Sequence, residues 1–231
     1  MFKVANLEKI GKKKIIISVI IVLILAAGGF FWWQKDKIES FLEQKELKKM
    51  VALSEDYTLV EDIEKRFIIN EKDGLKIKVP AEWKVEIGID MFGSPSKQHV
   101  TLYSQDFSYR PSKGCLIEMQ ISRLQNRRIE EYNGNFEIFP YEGVKEVKEI
   151  INFYKEAEPE EKEKMQGKGI EVISVDQKEV LKETVVLEGD IGKHVSLKIP
   201  TENKVYIFEC ILFSEECNEE LNQFLETISI D

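Results

Sequence analysis

Residues 66–89 read RFIINEKDGLKIKVPAEWKVEIGI, and their hydrophobic period is two. Leu75, Ile77 and Val79 alternate with Lys76 and Lys78, which gives one apolar face and one wet face, the pattern of a half-buried strand. Lys72-Asp73-Gly74 is a turn signal that joins this strand to residues 67–70 as a hairpin. Pro80 stops the strand, Ala81-Glu82-Trp83 turns the chain, and Val85, Ile87 and Ile89 resume the alternation. Antiparallel sheet therefore organises the body of the chain.

The pattern continues outward from there. Residues 91–97 read as a loop, Val100 and Leu102 as a strand, and Cys115, Ile117, Met119 and Ile121 as another, after the turn-rich connection 110–114. Val144, Val147, Ile150, Ile151 and Tyr154 share one helical face. The charge run 156–164 reads as a solvated loop or frayed turn. Strands are expected at 170–175, at 183–188 and through Val195, Leu197 and Ile199. Residues 205–213 are the most apolar strand and belong at the centre of the sheet. Ser214 is suited to N-cap a last helix whose stripe is Cys217, Leu221, Phe224, Leu225 and Ile228. The expected fold class is α+β: an N-terminal transmembrane helix, then a mostly antiparallel sheet covered by two helices.

The transmembrane expectation rests on residues 15–33, IIISVIIVLILAAGGFFWW, which contain no charge and one hydroxyl, Ser18. As a helix they would be about 28 Å long, close to the hydrocarbon thickness of a bilayer. Lys12, Lys13 and Lys14 at the front and Trp32 and Trp33 at the back are residue types of the membrane interface. Residues 1–14 carry five Lys against Glu8, a charge of +4, so the remainder carries −13 of the net −9. The basic tail favours a cytoplasmic N-terminus and an extracytoplasmic body. A cleaved signal peptide is the rival, because Ala26, Ala27, Gly28 and Gly29 suit a cleavage site, but the apolar run continues past them to Trp33. The resulting division is a basic tail (1–14), a membrane span (15–33), a helical stalk (34–56) and the folded domain (57–231). A strongly acidic body excludes a nucleic-acid partner, which requires a basic face.

At Asp73-Gly74-Leu75-Lys76-Ile77-Lys78-Val79-Pro80-Ala81-Glu82-Trp83-Lys84-Val85 the chain resembles the opening of PsbP-like domains, in which a Gly-led strand ends in a Pro-x-x-Trp turn. The run Val205-Tyr206-Ile207-Phe208-Glu209-Cys210, followed by a helix through Phe224 and Leu225, is similar to the close of the same domains. The resemblance covers about residues 66–231. It implies an antiparallel sheet between helices, used for binding or assembly, and it transfers no metal or partner residues to this chain.

The sequence offers no catalytic constellation. His99 and His194 stand in or beside strands, outside any H-x-x-x-H or H-E-x-x-H spacing, and read as sheet residues. There is no G-x-S-x-G elbow, G-x-G-x-x-G run or Walker loop. The expectation is therefore no cofactor, no metal and no enzyme activity. Cys115, Cys210 and Cys217 make an odd count, and if the body is extracytoplasmic Cys210 and Cys217 are the candidate disulfide, since one ends a strand and the other opens the next helix. Tyr132, Phe136, Phe139 and Tyr141 surround Asn133-Gly134 and Pro140 and are the candidate contact surface for a protein or envelope partner; the other reading tucks Phe136, Ile138 and Phe139 under the sheet as a short strand. The functional expectation is a membrane-anchored binding or assembly module. A tethered hydrolase that uses carboxylates, or a structural spacer, are the alternatives.

Overall fold

A computed structural model describes residues 45, 48–62, 65–109, 112–125, 143–188 and 192–231, and the backbone of 129–132 and 135–138. The expected span, with Lys12, Lys13, Lys14, Trp32 and Trp33, lies outside the described residues, as do Phe139 and Tyr141. Among the described residues no helix is long and apolar enough to cross a membrane.

The chain forms β1 (Thr58–Glu61), β2 (Arg66–Asn70), β3 (Leu75–Val79), β4 (Lys84–Ile89), β5 (Pro95–Tyr103), β6 (Ser108–Tyr109), β7 (Ser112–Lys113) and β8 (Cys115–Ser122). The hairpin β9 (Ile129–Tyr132) and β10 (Asn135–Ile138) follows, then α1 (Val144–Glu156) and α2 (Pro159–Gly167). β11 (Ile170–Val175), β12 (Lys178–Val186), β13 (Lys193–Pro200), β14 (Val205–Leu212), α3 (Glu215–Leu225) and β15 (Ile228–Ile230) complete it. Seven strands make the main sheet in the order β11-β12-β13-β14-β8-β5-β4, and four make a second in the order β1-β2-β3-β15. Every pairing in both sheets is antiparallel. The α+β expectation holds, and β14 is the middle strand of seven, as its apolar composition requires.

Side-chain alternation along the main sheet sorts residues into two cores. Ile117, Met119, Val195, Leu197, Tyr206, Phe208 and Cys210 face inward against Ile68, Leu75 and Ile77 of the second sheet and against Leu221, Phe224 and Leu225 of α3. Leu181, Val205 and Ile207 face the other way and receive Val144, Val147 and Ile151 of α1. Each such side chain contributes about 1.5–3 kcal/mol by leaving water. Trp83 is buried and stacks on Phe224, with ring centroids 6.5 Å apart. Trp83 N–H donates to the Pro80 carbonyl at 3.2 Å, so the Pro80–Trp83 turn is anchored on the core.

Several expectations change. Residues 156–164 are mostly helix, not loop: Pro159 occupies the first helical position, where its missing N–H is not needed, and a run of strong helix formers follows. Ile228 leaves the α3 stripe and begins β15, because the helix closes at Leu225; Thr227 turns back with its N–H and hydroxyl donated to the Phe224 carbonyl. β5 starts at Pro95, inside the expected loop. The body also begins earlier than residue 57. Val51, Ala52 and Leu53 are buried, and Val51 bridges Ser122.

The cysteine pairing differs as well. Cys217 is joined to Cys115, with Cα atoms 5.5 Å apart, and Cys210 is a free, buried thiol. Register supplies the reason. Cys115 stands opposite Leu212, where β14 ends and the chain turns into α3, whereas Cys210 stands opposite Ile117, two residues further into the sheet. Both face the same core, and the first turn of α3 passes over the end of the strands, above Cys115.

Between β2 and β3, Asp73 is 3% exposed and is the meeting point of several groups. Arg123 donates to its two carboxylate oxygens at 3.0 and 2.6 Å. Lys204 Nζ lies 3.4 Å from Oδ1, and Lys204 and the Tyr206 hydroxyl both donate to the Asp73 carbonyl. Arg123 also donates to the carbonyls of Lys48 and Val51. Burial by itself would raise the Asp73 carboxyl, but the hydrogen bonds and charges of Arg123 and Lys204 outweigh it and hold the group below the usual carboxylate range. A group depressed in this way contributes stability at every pH above its unfolded value of about 3.9. That contribution disappears as pH falls through the lower, folded value. Arg123→Ala leaves a buried carboxylate without its main partner and should cost about 3–5 kcal/mol. Chemical denaturation at neutral pH measures this, and the gap between variant and wild type should narrow on acidification below about pH 4, leaving the part due to the Lys48 and Val51 carbonyls.

Candidate functional site

The outward face of the main sheet carries a row of polar residues on one rung. Register places Glu86 beside Thr101, Thr101 beside Glu118, Glu118 beside Glu209, Glu209 beside Ser196, and Ser196 beside Glu183. Two carboxylates, Glu118 and Glu209, are thus direct neighbours at the middle of a sheet, where like charges oppose pairing. Both histidines attend them. His99 Nδ1 lies 3.8 Å from Glu118 Oε2, and His194 Nε2 lies 3.0 Å from Glu209 Oε2. His99 also reaches Gln120 and Ser96, and Ser196 donates to Glu209. The Glu209 carboxylate beside it raises the His194 pKa against the effect of burial. Burial, with Asp90 and Glu209 nearby, pushes Glu118 upward against the pull of His99 and of the Met91 N–H. The histidines are sheet residues as expected; their association with the two glutamates crosses four strands and is not visible in sequence spacing.

Glu118 is 8% exposed because the β4–β5 turn folds over it, and that turn is the most informative local structure in the body. Met91 N–H donates to Glu118 Oε2 at 2.6 Å. The Asp90 side chain accepts from Phe92 N–H at 3.0 Å and from Ser94 N–H at 2.8 Å, an Asx-type turn. Gly93 adopts φ +79°, open only to glycine without strain, and donates to the Asp90 carbonyl. From the other side, Tyr109 donates its hydroxyl to the Met91 carbonyl at 2.7 Å. The four N–H groups from Met91 to Ser94 are all engaged by Glu118 or Asp90. The side chain this turn displays is Phe92, which is 78% exposed.

Further aromatic rings stand in the adjoining β5–β8 connection. Phe107 meets Tyr109 edge-on at 4.9 Å, stacks on Phe213 at 5.9 Å and touches Tyr103 at 6.1 Å. Tyr109 is 42% exposed. Rings fixed in this way cost little conformational entropy when a partner covers them, and aromatic anchors dominate protein interfaces. The sequence pattern of residues 91–97 specifies only a loop. Asp90 followed by Gly93-Ser94, with a phenylalanine between, was the available signal.

The residues nominated from the sequence are distributed differently. Tyr132 and Phe136 fall on β9 and β10, paired with Asn135 and Glu131, so the stretch includes two short antiparallel strands. Only their backbone is described, and Phe139 and Tyr141 lie outside the described residues. Among the described residues the one set of donors close enough to share a metal ion is Cys115, Cys217 and Glu220, whose two cysteines form the disulfide.

Fold and site together define a class: an antiparallel α+β body in which a hydrogen-bonded turn displays an aromatic side chain, Phe92, to solvent. No family model matches the chain, and no curated protein matches it. Among solved structures it is similar to a crystal structure from Bacteroides thetaiotaomicron VPI-5482, at TM-score 0.39 and 8% identity, over 68% of this chain and 45% of that one. It is also similar to the solution structure of cyanobacterial PsbP (CyanoP) from Synechocystis sp. PCC 6803, at TM-score 0.37 and 13% identity, over 76% of this chain and 93% of that one. The chain thus spans less than half the length of the Bacteroides protein. Neither TM-score carries an argument about what this chain does.

A carboxyl whose folded pKa is raised makes the native state lose stability as pH rises from the ordinary carboxylate value through the raised one. Glu118→Gln keeps an acceptor for Met91 N–H and removes the charge opposite Glu209. It should therefore be at least as stable as wild type at neutral pH and should lack that part of the pH dependence. Glu118→Ala should destabilise the protein and speed amide exchange at Met91; thermal melts across pH and hydrogen exchange read the two effects.

Proposed function

We propose that this chain is a single-pass, membrane-anchored, PsbP-like module that presents a non-enzymatic binding surface to a protein or envelope partner outside the cytoplasm. The observation that carries the reading is Phe92, 78% exposed on a turn pinned by Glu118, Asp90 and Tyr109. A large apolar group kept in water by several hydrogen bonds is preorganised for a contact. The Cys115–Cys217 disulfide supports an oxidising compartment, and the uncharged run 15–33 behind a Lys-rich tail supports an anchor. A tethered hydrolase has one observation in its favour, the Glu118–Glu209 pair with a histidine beside each. Against it, Glu118 is covered by the turn and committed to Met91 N–H.

Two measurements in intact cells test the proposal. Glu160, exposed on α2, is changed to cysteine and treated with a membrane-impermeant thiol reagent; the bridged cysteines and the buried Cys210 leave the probe as the reactive thiol of the described body. Labelling before lysis is expected, and labelling only after lysis places the body in the cytoplasm. A photo-crosslinking residue at position 92 should give one discrete adduct, weakened when Asp90→Ala frees the turn. Crosslinking no different from that at exposed Lys168 would remove Phe92 from any interface.

A further inference from the structure

Glu220, on the second turn of α3, places Oε2 2.8 Å from the Sγ of Cys115. A disulfide sulfur carries no hydrogen, and an ionised carboxylate has none to give, so two lone-pair atoms would face each other at that distance. The contact is favourable when Glu220 holds the proton and donates it to sulfur. The groups around it favour that state. Partial burial pushes the Glu220 pKa upward, and the negative charges of Asp106 and Glu216 work in the same direction. Lys78 is the cation lining the same groove, a cleft of about 250 Å³ shared with Pro80, Trp83 and Phe224, which connects Glu220 to solvent.

The other sulfur is placed differently. Cys217 is the third residue of α3, its N–H is capped by the Ser214 hydroxyl oxygen, and the Ser214 hydroxyl lies 3.4 Å from its Sγ. A helix N-terminus favours a thiolate. Ser214, Glu215 and Glu216 are exposed, so the Cys217 side of the bridge is covered by one helical turn, whereas Cys115 is held at the start of a central strand.

We infer that the Cys115–Cys217 bridge is an exchangeable disulfide, opened by a dithiol reductant of the thioredoxin class, with Glu220 as the proton donor to Cys115. When the first turn of α3 opens, a thiolate of the reductant attacks Cys217 Sγ and forms a mixed disulfide. The Cys115–Cys217 bond breaks, its electron pair leaves on Cys115, and Cys115 takes the Glu220 proton. The second thiolate of the reductant then attacks its own sulfur in the mixed disulfide, leaving as a cyclic or intramolecular disulfide. Cys217 departs as a thiolate, stabilised by the helix N-terminus. Two electrons pass from reductant to bridge. Of the two protons the reductant releases, one restores Glu220 and the other is taken up by Cys217.

The test uses the full chain in detergent micelles with dithiothreitol as the dithiol, and reads Cys115 and Cys217 by thiol mass-tagging under native conditions. Reduction should be first order in dithiothreitol and faster than global unfolding, followed in parallel by fluorescence. Glu220→Gln should slow it about a hundredfold, the low end of what a positioned proton donor supplies. Glu220→Asp should recover part of the rate. In wild type the rate, corrected for the dithiothreitol thiolate fraction, should fall as pH rises through the titration of Glu220, and the Gln variant should lack that fall. A rate indifferent to Glu220→Gln, or reduction that occurs only at the rate of global unfolding, overturns the inference and leaves a purely structural bridge. The wild-type pH profile decides the matter without any variant.

Discussion

The Asp73 carboxylate and carbonyl tie together, at one point, elements of both sheets that otherwise meet through apolar packing. Asp73 belongs to a turn of the smaller sheet; Arg123 follows the end of β8, and Lys204 and Tyr206 come from the β13–β14 hairpin of the larger one. Arg123 extends the junction to the carbonyls of Lys48 and Val51, where the chain enters the body. A buried ion pair is a poor source of net stability, since desolvation offsets most of its attraction, yet removing one partner is expensive. Its contribution is therefore geometric. It gives the second sheet one directional, polar attachment to the first beside the apolar core they share.

The same economy of charge appears on the opposite face. Glu118 sits on a rung where another carboxylate is its neighbour, an arrangement that costs sheet stability. It is tolerated because the Met91 N–H and His99 lie beside one of its oxygens. The sheet thereby supports a turn that is otherwise solvent-exposed, and Phe92 inherits the rigidity of the strands beneath it. A charge in an unfavourable place and an apolar ring in an unfavourable place are connected by one hydrogen bond, which ties together the unusual features of the surface.

How far the sequence disclosed this depended on whether the deciding contacts were local. The period-two runs around Leu75–Val79 and through β14 announced their own strands, and Ser214 announced its helix, because alternation and capping are written within a few residues. α2 gives no periodic signal because its residues have no apolar stripe; propensity and the N-terminal Pro159 make it helical, and none of it is buried. Sequence proximity favours Cys210 as the partner of Cys217, whereas the pairing is decided by strand register and joins cysteines 102 residues apart. The carboxylate rung was illegible for the same reason. Glu118 and Glu209 become neighbours only when β8 and β14 pair, and the two strands are separated by two helices and three further strands of the main sheet.

β15 carries a consequence for the order in which the body can be made. Ile77 of β3 pairs with Ile228, and Ile230 is secured by the Asp176 carboxylate and the Lys178 ammonium of the β11–β12 turn. During synthesis from the N-terminus, β3 emerges early and then waits, one edge unpaired, until nearly all the remaining strands have appeared. An apolar strand with an open edge is a template for pairing with the wrong chain. The nascent protein thus passes through a long interval in which a chaperone, or the alternating lysines Lys76 and Lys78 on that strand, must keep the edge from finding a substitute.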